Sequence, residues 1–188
     1  EVVIYGDNIT IGSSVFSSNT KLTTAKINTG VITISDYAFK NCSNLEHVDI
    51  ASTVDTIGSR AFYGTKWLAG KQAETPLVIV NNVLVDGQTF SGDLTIPSVV
   101  TKISGYAFYN NANVTELSIH DSVVDIGSSA FYGTSITELT IPASVKTIGS
   151  SAFSGCKGIA SITFNEGLET IDSNAFYNCT GITTVILP

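Results

Sequence analysis

Residues 139–156 read Leu-Thr-Ile-Pro-Ala-Ser-Val-Lys-Thr-Ile-Gly-Ser-Ser-Ala-Phe-Ser-Gly-Cys, and variants of this segment recur along the chain. The dipeptide Ala-Phe occurs six times, ending at Phe39, Phe62, Phe108, Phe131, Phe153 and Phe176. The successive intervals are 23, 46, 23, 22 and 23 residues, and Phe16 lies another 23 residues upstream of Phe39. The sequence is therefore a tandem array with a 23-residue repeat and one interval of double length.

Each copy carries apolar residues at fixed distances before its Phe. An Ile stands five residues earlier in all seven copies, and a Val stands eight residues earlier in most. Further upstream, apolar and polar residues alternate, as in Val48-Asp49-Ile50 and Leu139-Thr140-Ile141. This period of two is typical of a short, half-buried strand. Because one such strand cannot bury its own apolar face, we expect the copies to stack and share a core.

The segment around each Ala-Phe is too short to form a stable helix alone, so we expect an irregular helical turn held by packing. The predicted fold class is a β-rich leucine-rich-repeat solenoid of about eight turns, forming a single unit over residues 1–188. Both ends of the chain match strand positions of the repeat and therefore lie inside repeats. We expect the array to continue beyond them and to be capable of end-to-end self-association.

The double interval predicts a variant module at residues 68–93. Two runs rich in Val and Ile flank Asn81-Asn82. Asn tolerates the positive φ that tight hairpin turns require, so the pattern predicts a β-hairpin insertion. We expect the hairpin to protrude locally and to leave the core continuous across the module.

The repeated pattern of residues 139–156 resembles the BspA-like leucine-rich repeat of bacterial surface proteins. Trp67-Leu68, followed by the Val/Ile-rich pair of runs, is similar to a module common in the same family. The resemblance covers nearly the whole chain. It implies a bacterial, secreted or cell-surface protein located outside the cell, with adhesion to host or neighbouring-cell proteins as its usual role.

Charge and hydropathy exclude two classes of partner. The chain has 16 acidic and 9 basic residues, a formal net charge of −7. Nucleic-acid binders normally carry a basic stripe, whereas the part after Lys102 holds seven acidic residues against two lysines. No segment approaches the roughly 18 apolar residues of a membrane span. We therefore predict no nucleic-acid partner and no membrane insertion.

The cysteines share one position of the repeat. Each stands three residues after a Phe, at Cys42, Cys156 and Cys179. Other copies have Asn or Thr there, which indicates a small side chain that bonds nearby backbone, and we predict free structural thiols. A disulfide between Cys156 and Cys179 stays open as an alternative. Adjacent repeats stack about 4.8 Å apart, which lies within the Cα range of a bridge.

Catalytic and metal-binding patterns are missing from the sequence. The two histidines, His47 and His120, occupy ordinary repeat positions, and neither stands near a cysteine in the repeat register. A zinc site needs about four convergent ligands, and a catalytic triad needs a nucleophile, a base and an orienting group. We therefore predict that the chain is not an enzyme and has no cofactor and no metal site.

Two exposed stripes are candidate binding surfaces. The first is a ligand face of outward strand residues, in which the acidic ones stack as a ribbon: His47, Asp49, Asp93, Glu116, Ser118, Glu138, Thr140 and Thr163. The second is an aromatic stripe just after the repeat Phe: Tyr63, Tyr109, Tyr132 and Tyr177. Either stripe can instead serve the fold, the first as a solvated face and the second as a lid on the core.

Three functions are compatible with these surfaces. The first is a non-catalytic protein-binding or adhesion segment whose partner presents a basic patch to the acidic ribbon. The second is a structural spacer that projects another domain. The third is a weak carbohydrate-binding module that uses the tyrosines as aromatic anchors.

Overall fold

The chain forms a solenoid of about eight turns, described by a computed structural model of residues 1–188. Most turns contain two short strands followed by a turn that carries the repeat Phe. In chain order the strands and the single helix are β1 (Val2–Ile4), β2 (Ile9–Ile11), β3 (Thr24–Ile27), β4 (Val31–Ile34), β5 (His47–Ile50), β6 (Thr56–Ile57), α1 (Lys66–Glu74), β7 (Val78–Val80), β8 (Val83–Asp86), β9 (Gly92–Thr95), β10 (Lys102–Ile103), β11 (Val114–Ser118), β12 (Asp125–Ile126), β13 (Glu138–Ile141), β14 (Thr147–Ile148), β15 (Ser161–Phe164), β16 (Thr170–Ile171) and β17 (Thr184–Ile186).

Equivalent strands of successive turns pair in parallel, residue for residue. Ile4 of β1 lies opposite Ile27 of β3, which lies opposite Ile50 of β5. On the second side of the solenoid, Ile103 of β10 lies opposite Ile126 of β12. The 23-residue period thus places like residues on like residues, and the predicted solenoid is confirmed.

Stacked phenylalanines form the centre of the core. Phe39, Phe62, Phe108, Phe131 and Phe153 are fully buried. Rings of adjacent turns lie 5.0 to 5.5 Å apart between centroids and are nearly parallel, as for Phe131 and Phe153 at 5.2 Å and 5°. The backbone continues the same ladder, because the N–H of Phe131 donates to the carbonyl of Ala152 at 2.8 Å. Side-chain and backbone contacts therefore fix one register.

The Phe-bearing turn has a left-handed residue on each side of its Phe. Two residues before the Phe, φ is positive at Ser14, Tyr37, Arg60, Tyr106, Ser129, Ser151 and Asn174. Two residues after it, φ is positive at Ser18, Asn41, Gly64, Asn110, Gly133, Gly155 and Asn178. Since such residues interrupt a right-handed helix, this irregular turn depends on packing against its neighbours.

The double interval contains the hairpin and a helix. β7 and β8 pair antiparallel, with Val80 opposite Val83 and with positive φ at Asn81 and Asn82, so the predicted hairpin is confirmed. The nine-residue helix α1 was not predicted. Thr65 caps it, accepting a hydrogen bond at its hydroxyl from the N–H of Leu68 at 3.1 Å.

The expectation of one continuous core was wrong, because the module divides the core in two. The N-terminal core ends with Trp67, which tilts onto Phe62 at 4.6 Å, and with Val83 and Val85 of β8. The C-terminal core begins at Leu84 of the same strand. The physical reason is that Gly87 takes the position of a repeat Phe. Its N–H donates to the carbonyl of Ala107, just as the N–H of Phe131 donates to the carbonyl of Ala152. The Phe stack therefore has no ring at this turn.

The cysteines are free and buried, and they bond the backbone as their position predicts. Each Sγ donates to the Phe carbonyl of the preceding turn: Cys42 to Phe16 at 2.9 Å, Cys156 to Phe131 at 3.1 Å and Cys179 to Phe153 at 3.0 Å. In the same position, the hydroxyl of Thr134 donates to the carbonyl of Phe131 at 3.0 Å. The disulfide alternative is not formed.

We predict that Gly149→Ala destabilises the protein by about 1–3 kcal/mol, because the new Cβ overpacks a buried site. It would lie 2.7 Å from the backbone nitrogen of Ser128 and 2.9 Å from the carbonyl carbon of Gly127. The matched control is Gly70→Ala in α1, where nothing lies within 4 Å of an added Cβ. There we expect a gain of up to about 1 kcal/mol. Denaturant unfolding measures both changes, and equal effects at the two positions would contradict close stacking.

We also predict that the native thiols react slowly. Burial raises the pKa of the Cys156 thiol to about 11, and it also raises the pKa values of Cys42 and Cys179. At pH 8, Cys156 then carries roughly 200-fold less thiolate than an unperturbed thiol of pKa about 8.5. A chromogenic disulfide reagent should titrate three thiols quickly in the unfolded protein and react far more slowly in the native one. Fast native labelling would contradict the burial of this column.

Candidate functional site

Three exposed carboxylates surround one depression on the strand face. Asp93 of β9 lies opposite Glu116 of β11 in the strand register, and Glu138 follows on β13. Together with Thr95, Ser118 and Thr137 they line an open concavity of about 390 Å³, whose apolar lining residues are Leu94 and Leu117. No basic residue lines it. We call this feature the acidic concavity.

A seam in the sheet underlies the acidic concavity. β9 and β11 form one pair and β13, β15 and β17 form another sheet, with no strand ladder between β11 and β13. Along this seam Leu117 stays half-buried, whereas the equivalent Leu94 and Leu139 are almost fully buried. The seam therefore leaves apolar surface accessible between acidic side chains.

The remaining C-terminal residues of the predicted ligand face continue from this concavity. Ser118 is part of its lining, while Thr140 and Thr163 lie opposite each other on β13 and β15. Thr140 is exposed and Thr163 is half-buried. They form an uncharged extension of the acidic surface.

His47 and Asp49 lie on a different part of the strand face. They belong to β5, and α1 follows between that strand and β9 along the solenoid. A separate concavity of about 380 Å³ lies beside them, and its charged lining is mixed: Glu46, His47, Asp49, Lys66, Lys71 and Glu74. The structure thus brings together the acidic residues after the module and leaves His47 and Asp49 apart from them.

The aromatic stripe is organised around an arginine that sequence reasoning missed. The guanidinium of Arg60 lies over the rings of Tyr63, Tyr106 and Tyr109, at 5.1, 4.2 and 5.0 Å from their centroids. Tyr109 also stacks on Tyr132 at 4.8 Å. One signal for it was present in the sequence. Two residues before the repeat Phe, the turns on either side of the module carry large side chains, Arg60 and Tyr106.

Tyr177 stands apart from this cluster. It is 67% exposed and has no aromatic or cationic neighbour of the kind seen at the other three tyrosines. The faces of Tyr109 are covered by Arg60 and by other rings, so most of the stripe is engaged within the protein. Tyr63, at 46% exposed, remains the accessible member of the cluster.

His120 contributes to a turn of the backbone. His120 accepts a hydrogen bond at Nδ1 from the N–H of Ser122 at 3.0 Å, which fixes the turn before β12. No group of three or more His, Cys, Asp and Glu side chains is arranged to hold a metal ion. The single helix, α1, is not long and apolar enough to cross a membrane.

Solved structures show the same fold. A leucine-rich repeat protein from Bacteroides ovatus is 24% identical, covers 95% of this chain and has a TM-score of 0.52. A leucine rich cell surface protein from Faecalibacterium prausnitzii is 20% identical, covers 88% of this chain and has a TM-score of 0.54. This chain spans 58% and 60% of their respective lengths. No curated protein matches the sequence.

The BspA type leucine rich repeat region matches in six copies, over residues 1–74 and 87–188. The unmatched interval, residues 75–86, contains the hairpin strands β7 and β8. Since the match covers most of the sequence and agrees with the stacked turns, the chain belongs to the BspA-type leucine-rich repeat family.

Proposed function

We propose that the chain is a non-catalytic protein-binding segment of a secreted or cell-surface bacterial protein, and that it acts in adhesion through the acidic concavity. Membership of the BspA-type family supports the surface location, as does the fold shared with a protein described as a cell surface protein. The observation that carries the binding role is the set of three carboxylates around an apolar lining.

The chemistry of the acidic concavity selects the partner. Its three carboxylates are exposed and have no basic neighbour in the lining: Asp93, Glu116 and Glu138. A lysine or arginine of a partner could therefore form ion pairs with them. Half-buried Leu117 offers apolar area, which supplies affinity that exposed charges alone do not. The partner is therefore a protein surface with a basic patch beside an apolar residue.

The alternative of a structural spacer accounts for the stacked turns equally well. It does not require a depression in the strand face at β11 and β13, nor three acidic side chains around that depression. The seam and its charges therefore favour the binding role over the spacer.

We predict that Glu116→Lys/Glu138→Lys lowers the affinity for a basic probe at least tenfold, because it replaces attraction by repulsion. The probe is a fluorescent decapeptide of alternating lysine and threonine, and fluorescence anisotropy measures its binding. Binding to the unaltered chain should weaken as salt rises, since exposed charges are screened beyond about 8 Å at physiological ionic strength.

The matched control is Glu166→Lys/Asp172→Lys, which changes the net charge equally at exposed positions away from the strand face. We expect it to lower affinity only slightly. Equal losses in the two double variants would show that the probe senses net charge alone, and would contradict the proposed site.

A further inference from the structure

The variant module buries one carboxylate that has no cationic partner. Asp86 at the end of β8 is 6% exposed and makes no ion pair. Its Oδ1 accepts hydrogen bonds from Nε2 of Gln72 at 2.8 Å and from the N–H of Gln88 at 3.1 Å. Protein donors are bonded to Oδ1 only, and the side chain borders a cavity of about 80 Å³. Burial raises the pKa of this carboxyl.

Arg60 lines the same cavity and is held without an acidic partner. Three tyrosine rings support its guanidinium, the nearest being Tyr106 at 4.2 Å, and no carboxylate lies within ion-pair distance. Its five N–H groups make no hydrogen bond to the protein. The backbone at Arg60 has the left-handed conformation found at this position in every copy, with φ of 50°. The cavity is thus lined by a guanidinium and a carboxylate, neither of which has an ion-pair partner in the protein.

An open groove adjoins this cavity. It has a volume of about 440 Å³ and shares Tyr63 and Leu68 with the cavity. Tyr63 presents an exposed ring, while Asn41 and Gln72 add amide groups to the lining. Together the cavity and the groove form what we call the junction cleft, because they lie where the two cores meet.

The opposite charges of Asp86 and Arg60 restrict the ligand. A carboxylate or phosphate would be attracted by Arg60 but repelled by Asp86, and an ammonium group would meet the reverse, so a singly charged group gains little net attraction. A hydroxyl group satisfies both residues, because it donates to one and accepts from the other. The cavity is large enough for two or three water-sized groups, at about 30 Å³ each, and too small for a ring.

We propose that the junction cleft binds a neutral sugar, with two adjacent hydroxyl groups in the cavity between Asp86 and Arg60 and the ring in the groove against Tyr63. The C–H face of a pyranose packs on an aromatic ring, and amides such as Gln72 can bond the outer hydroxyl groups. This site is separate from the acidic concavity. It would bind an uncharged ligand, whereas the acidic concavity would bind a basic protein surface.

The test is saturation-transfer NMR of the intact chain with three probes: methyl α-mannopyranoside, methyl β-galactopyranoside and methyl β-glucopyranoside. We expect millimolar binding of at least one probe. Tyr63→Ser and Asp86→Asn should each weaken it at least tenfold, while Tyr177→Ser, at the same repeat position outside the cleft, should not change it. Asp86→Asn keeps the acceptor for Gln72 and Gln88 and removes a buried charge, so it should unfold no more readily than the unaltered chain at pH 7.

Three results would overturn the proposal: no signal from any probe, full binding by the folded Asp86→Asn variant, or tighter binding of the acidic sugar methyl β-glucuronide. Glu116→Lys/Glu138→Lys should leave sugar binding intact. Failure at one surface can therefore be distinguished from failure at the other.

Discussion

The whole structure depends on turn-to-turn registration. Within each core, a Phe-bearing turn donates its backbone N–H to the next turn and stacks its ring on the next ring, as Phe131 does with Ala152 and Phe153. The column three residues after the Phe adds a third link, because each cysteine donates to the Phe carbonyl of the preceding turn. Asn111 also bonds the preceding turn, at the carbonyls of Gly87 and Phe90, whereas Thr65 and Thr134 bond the Phe carbonyl of their own turn.

The variant module is the exception that generates the surface features. Because Gly87 takes the place of a Phe, the stack lacks one ring. The hydroxyl of Ser104, which follows the module, bonds the carbonyl of Ile57, which precedes it. On the side of the solenoid that carries β5 and β9, α1 stands between these two strands in place of a further strand. The cores therefore separate at β8, the predicted ligand face is divided, and the junction cleft opens between the two parts. A perfectly regular array would have neither the cleft nor the division.

Sequence patterns predicted what is repeated and missed what occurs once. The period, the strand pairs, the hairpin at Asn81-Asn82 and the bonding role of the cysteine column all follow from local signals or from equivalence between copies. Helix α1, the contact of Arg60 with Tyr106 and the seam beside Leu117 have no equivalents in other turns. Arg60 meets Tyr106 because the module brings residues 46 positions apart together, which column alignment cannot anticipate. The acidic ribbon was predicted as a set, and the structure adds the concavity that its carboxylates surround.

Native-state hydrogen exchange tests most directly whether two cores, joined at β8, hold the chain together. Amides of β4 and β6 report on the first core, and amides of β12 and β14 report on the second. The account predicts that increasing denaturant exposes the two sets in two separate steps with different free energies. A single step, in which all four strands exchange with one free energy and one denaturant dependence, would contradict it.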